Sequence, residues 1–152
     1  MPPSGIGQAV TFFEKTLKKV AISPNPLWQA LRLYKNMDIV GRFEDVFCNA
    51  AIDKGDGTTP DDERLFETMK GAFTRLHNHP RGKEHILELL QHENNWVKIW
   101  VATQVLSEGH NSEASRILQL LSKESGSIGF SAEMVLSQHQ SGELLCPFGI
   151  KP

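Results

Sequence analysis

At 152 residues the chain is long enough to bury one sizeable core and too short for two. Its 39% hydrophobic and 22% charged residues are ordinary for a globular domain, and a net charge of −2 with a pI near 6.3 argues against the basic face that nucleic-acid binding needs. No apolar run reaches the length of a membrane span, the first residues lack the basic start and apolar stretch of a signal peptide, and the two distant cysteines, Cys48 and Cys146, read as reduced thiols, so a cytoplasmic setting is expected.

Apolar residues recur at helical spacing nearly throughout and no stretch alternates like a half-buried strand, which predicts an all-α fold of about eight helices. Ile6, Ala9, Val10, Phe13, Leu17 and Val20 form a first stripe. The SPNP of residues 23–26 closes it, because proline lacks an amide proton and its ring clashes with the preceding turn. Leu27, Trp28, Leu31 and Tyr34 begin a second stripe, and Ile39, Val40, Phe43, Val46, Phe47 and Ala50 form a third after a possible bend near Asn36. The main loop, DKGDGTTPDDER, resolves into a helix start. Thr59 is placed as N-cap and Pro60 at the first helical position, with Asp61, Asp62 and Glu63 against the positive end of the helix dipole.

Leu65, Phe66, Met69, Ala72, Phe73 and Leu76 carry that helix to HNHP, and Pro80 opens the next, with Ile86, Leu87, Leu89 and Leu90 inside. Asn94 or Asn95 caps the segment WVKIWVATQVL, which Gly109 ends. Asn111 or Ser112 caps a further helix with Ala114, Ile117, Leu118 and Leu121 facing inward. A last helix covers about residues 128–140, with Gly142 as its C-terminal glycine. Short linkers make consecutive helices antiparallel neighbours, and a spacing of roughly 30 to 35 residues between helix pairs favours stacked hairpins, a short solenoid, over a bundle.

Motifs that carry chemistry are sparse. Zinc takes four tetrahedral ligands, usually with cysteine or an i, i+4 histidine pair. His77 and His79 instead bracket a helix end, while His85 and His92 stand seven apart without a companion motif, so no metal site is expected. The DKGDGTT loop fails as a calcium-binding loop, because from Asp53 the third and fifth positions are Gly55 and Gly57 and the twelfth is Arg64. No nucleophile elbow or phosphate-binding glycine loop stands in the right context, and helix capping accounts for the paired Asp61 and Asp62. Neither a catalytic residue nor a cofactor is expected.

The strongest functional lead is Trp96 and Trp100, one helical turn apart. On a helical wheel Val97, Ile99, Val101, Ala102, Val105 and Leu106 cover one broad aliphatic arc, and the two indoles fall on the other with Thr103, Gln104 and Ser107. The rings either fill space between helices or, with Gln104, Ser107 and His110 around them, present anchors to a partner. The acidic residues Asp56, Asp61, Asp62 and Glu63 would steer a basic partner.

The segment from Asn94 to Leu144 resembles a bacterial family of small HEAT-like helical domains of unknown function, DUF 2019. The likeness is carried by Val97-Lys98, Ala102, Ala114 with Leu118 and Leu121, Ala132 with Leu136, and Gly142 to Leu144. Lys98 replaces the family's usual arginine, and Val101 stands where its first alanine would be. The match covers residues 61–145 well and 27–60 loosely, and the first 25 residues look like an added helix on a single domain spanning 1–152. What the resemblance implies is a stack of helical hairpins, similar to immunity proteins encoded beside bacterial toxins. The expected function is therefore non-catalytic binding and neutralisation of a cognate toxin. A general helical adaptor for a cellular partner is the alternative, and an enzyme using the histidine-rich stretch comes third.

Overall fold

In the computed structural model, residues 26–150 are described in backbone and residues 39–150 also in side chain. The helix expected over Ile6 to Val20, and the side chains of Leu27, Trp28, Leu31 and Tyr34, lie outside the described residues. The chain divides into two compact units, Met1–Gly41 and Arg42–Pro152. The described residues form six helices and no strand: α1 (Pro26–Lys54), α2 (Asp62–Asn78), α3 (Gly82–Leu89), α4 (Asn95–Ser107), α5 (Ser112–Leu121) and α6 (Gly126–Ser141). None of them is long and apolar enough to cross a membrane.

The second and third expected stripes belong to one continuous helix of 29 residues, α1, with no break near Asn36. Asparagine lowers helix propensity by only about 0.5 kcal/mol, and neither proline nor a glycine pair is present to stop the helix there. Phe47, Cys48, Ala50 and Ala51 of α1 enter the core of the second unit, whereas Val46 of the expected stripe is exposed.

The turn into α2 follows the predicted chemistry with a small shift. Asp61 N–H donates to the Thr59 hydroxyl at 3.3 Å and Asp62 N–H to the Thr59 carbonyl at 3.1 Å, so a tight turn through Pro60 precedes the regular helix. Helix α2 then buries Leu65, Met69, Ala72, Phe73 and Leu76, one face at helical spacing.

Asn94 caps α4, its carboxamide oxygen accepting from the N–H groups of Trp96 and Val97 at 2.9 and 3.2 Å. Asn111 caps α5 through Ala114 N–H at 2.9 Å. At the end of α6, Gly142 is left-handed with φ +79°, and Glu143 N–H reaches the Gln138 carbonyl at 2.9 Å while Gly142 N–H reaches that of His139 at 3.2 Å. This closing pattern satisfies two carbonyls that the helix end would leave unpaired.

Each helix from α2 to α5 packs on its successor, and α4 also packs on α6. Helix α4 is consequently buried nearly all round: Val97, Ile99 and every residue from Val101 to Leu106 are in the core. The segment from Glu143 to Ile150 returns across this core, where Phe148, 2% exposed, occupies an aromatic cluster. Its ring centroid lies 4.8 Å from that of Phe73, 5.7 Å from Phe47, 5.7 Å from Trp100 and 6.1 Å from Phe66. A turn from Cys146 to Gly149, with Pro147 second and Gly149 at φ +71°, aims the ring inward.

Candidate partner-binding surface

The Asn94 cap fixes where α4 begins, and so fixes the two tryptophans in its first two turns. Both side chains are half-buried. The Trp96 indole nitrogen faces Gly55 at the end of α1, where an added Cβ would lie 3.8 Å from it. The Trp100 ring packs on Phe66 and Phe148, with ring centroids 5.7 Å away in each case, and the Lys54 ammonium sits 5.4 Å from its own centroid. That placement is within cation–π range. The Trp100 indole N–H is buried and has no hydrogen-bond partner among the described residues.

Lys54 also pairs with Asp62, so one cation ties the tryptophan helix to the start of α2. The structure thereby brings Asp62 to Trp100 through Lys54, and Trp96 to Gly55, the neighbour of Asp56, while Asp61 and Glu63 flank Asp62 in the chain. Asp56 is exposed, and its carboxylate accepts from the Thr58 hydroxyl at 2.7 Å and the Thr58 N–H at 3.1 Å. Those bonds favour the ionised form and hold its pKa below the ordinary aspartate value. Asp61 meets Arg64 at 3.3 Å, and Glu63 is exposed. The result is a half-open aromatic pair with an acidic border.

Gln104 stands elsewhere. It is completely buried, and so cannot present a side chain to a partner in this structure. Its Oε1 accepts from Phe148 N–H at 3.2 Å, and its Nε2 donates to the Ile150 carbonyl at 3.0 Å and to Glu108 Oε1 at 3.2 Å. The polar arc of the wheel is therefore an interior surface. It faces the peptide groups of the C-terminal segment, which need polar partners once they leave water. Thr103, on the same arc, is buried too and satisfies itself on the Ile99 carbonyl at 2.6 Å.

Ser107 is the last residue of α4, about 16 Å from Trp96 at 1.5 Å per residue, and His110 follows three residues beyond the helix. Ser107 is half-buried, its hydroxyl donating to the Gln104 carbonyl at 2.7 Å. His110 is exposed on the rim of a groove of about 550 Å³ with an apolar floor of Ile86, Leu87 and Val105. His77 and Glu108, 3.3 Å apart, stand on the same rim. The nine expected residues thus divide into an aromatic–acidic region at one end of α4, a buried glutamine, Ser107 at the other end of the helix, and His110 on a separate groove.

The histidines between α2 and α4 have structural roles of two kinds. His79 and His92 act as local caps, their Nδ1 atoms accepting from Arg81 N–H at 3.1 Å and Asn94 N–H at 3.0 Å. His85 instead reaches across to α1, where its Nδ1 lies 2.9 Å from Glu44 Oε1. Cys48 is buried near Glu44 and Asp45; loss of solvent, with those negative charges, pushes its thiol up to about 11.

No family model, no curated protein and no solved structure matches the chain.

Proposed function

We propose that the chain is a non-catalytic protein-binding module of the immunity type, which neutralises a cognate bacterial toxin by covering a basic surface on it. The observation that carries this reading is the Lys54 link between half-buried Trp100 and Asp62, with half-buried Trp96 against Gly55 beside Asp56 and with Asp61 and Glu63 flanking Asp62 in the chain. Interface hot spots combine a large aromatic anchor with a rim that excludes water, and tryptophan is enriched among them. An acidic border raises the encounter rate with a basic partner and penalises an acidic one. The helix order supports a HEAT-like stack, because α2 to α6 pack consecutively. The C-terminal resemblance supplies the toxin as the partner class.

Co-expression with the product of the adjacent gene tests the reading. The expected result is a stable complex and relief of that protein's toxicity, with Trp96→Ala weakening the complex by at least about 2 kcal/mol, roughly thirtyfold. Glu63→Gln slows association mainly at low salt, since rim charges act on encounter. A toxic neighbour that neither binds nor is neutralised overturns the immunity reading. A complex indifferent to Trp96→Ala overturns the choice of surface.

A further inference from the structure

A second constellation lies outside the aromatic–acidic patch. His85 and Glu88 are three residues apart on α3, and so project from the same side of that helix. Glu44 meets them from α1. One ring nitrogen of His85, one oxygen of Glu44 and one oxygen of Glu88 all lie within 4.8 Å of one another. The His85 and Glu44 side chains are each 24% exposed, and Glu88 is exposed, so the cluster is sheltered on one side and open to solvent on the other.

The charges of these three side chains do not balance among themselves. Two carboxylates converge on one imidazole, and the histidine, even when protonated, offsets only one of them. Glu88 has no hydrogen bond or ion pair through its carboxylate among the described residues. A divalent cation would neutralise both carboxylates and take the imidazole in its neutral, metal-binding form. The donor set also narrows the ion. An imidazole nitrogen with two carboxylate oxygens suits zinc, cobalt, manganese or ferrous iron, whereas calcium and magnesium favour all-oxygen shells. Three protein donors leave at least one position for water.

We propose that Glu44, His85 and Glu88 form a binding site for a first-row divalent metal ion, with zinc as the ion best suited to a three-donor site of this kind. Binding there cross-links α1 to α3 through a bond stronger than the Glu44–His85 contact alone. The ion enters from the side of Glu88, the exposed member of the three.

The test uses the untagged full chain, stripped with a chelator and titrated with zinc chloride by calorimetry. The expected result is one zinc ion per chain and a rise in melting temperature on loading. His85→Ala and Glu88→Gln each weaken binding by at least about tenfold. Glu84→Gln, which removes the same charge from the same helix outside the cluster, leaves the affinity unchanged. Cobalt in place of zinc gives visible absorption bands that Glu88→Gln alters. Because Glu88 is exposed, its substitution leaves the fold intact and keeps the result interpretable even if His85→Ala unfolds α3. Absence of stoichiometric zinc binding overturns the proposal, as does equal affinity in wild type and Glu88→Gln.

Discussion

Replacing Gln104 with leucine keeps nearly the same side-chain volume and removes every polar contact that the side chain makes with the C-terminal segment. The bonds lost are those from Phe148 N–H and to the Ile150 carbonyl. Phe148 is 2% exposed, so its amide is stranded in an apolar surrounding, at a cost of about 1–3 kcal/mol. Ile150 is only half-buried, and its carbonyl recovers water, so that loss stays near the net value of an ordinary hydrogen bond, about 1 kcal/mol. The leucine returns part of this as apolar burial. The expected destabilisation is about 2 kcal/mol, measured by urea unfolding followed by far-ultraviolet circular dichroism.

Phe148→Ala, which empties the centre of the aromatic cluster, should cost about 3–5 kcal/mol. Both substitutions release the same segment, so their effects cannot add in full. The double variant should fall short of the sum by about 1 kcal/mol or more. Hydrogen exchange at Phe148 N–H should accelerate in Gln104→Leu while amides in the middle of α5 remain protected. A Gln104→Leu variant within about 0.5 kcal/mol of wild type, or a cycle additive within about 0.5 kcal/mol, refutes the clamp.

Three further outcomes follow from local geometry. Asn94→Ala and Asn111→Ala, which remove the two side-chain caps, should each lower stability by about 1 kcal/mol in the same unfolding assay. Alanine at Gly82 or Gly129 would place its Cβ 1.6 Å from the Leu76 carbonyl oxygen or 1.8 Å from that of Glu124, so each should destabilise by about 1–3 kcal/mol; Gly71→Ala, exposed and with open space in mid-helix, should stabilise by about 0.5–1 kcal/mol. Cys48, its thiol raised to about 11 by burial and neighbouring carboxylates, should resist alkylation by iodoacetamide near pH 8 in the folded protein. The unfolded thiol ionises first as pH rises past about 9, so wild type should lose stability relative to Cys48→Ala between about pH 9 and about pH 11.

Much of the helical framework was legible because its signals are local. Asn94, Asn111, Pro60 and Gly142 mark helix ends through chemistry confined to one turn, and the face of α2 follows from spacing alone. The division of α1 into two stripes failed because a change of apolar phase near Asn36 is no substitute for a residue that breaks the helix. The wheel of α4 failed differently. It separates polar from apolar residues, but an interior can be polar when a backbone segment supplies the partners, as Phe148 and Ile150 do for Gln104. Pro147 and Gly149 announced the turn, and Phe148 between them was the missed signal. The meeting of the acidic loop with the tryptophans depends on Lys54 reaching both Asp62 and Trp100 across 46 residues of chain, a tertiary event that no window of sequence contains.

The position of Phe148 in the chain also sets the order in which this protein can be completed. Residues emerging in sequence can lay down α2 against α3, and α4 against α5, through contacts closed by short connections. Phe47, Phe73 and Trp100 all wait for a ring that is synthesised last among them, and Gln104 waits for two peptide groups 44 and 46 residues further on. Until then the nascent chain carries an open aromatic cavity and an unsatisfied amide. Chains truncated before residue 148 should therefore be substrates for chaperones that recognise exposed aromatic surface, and chains that include residues 148–150 should not.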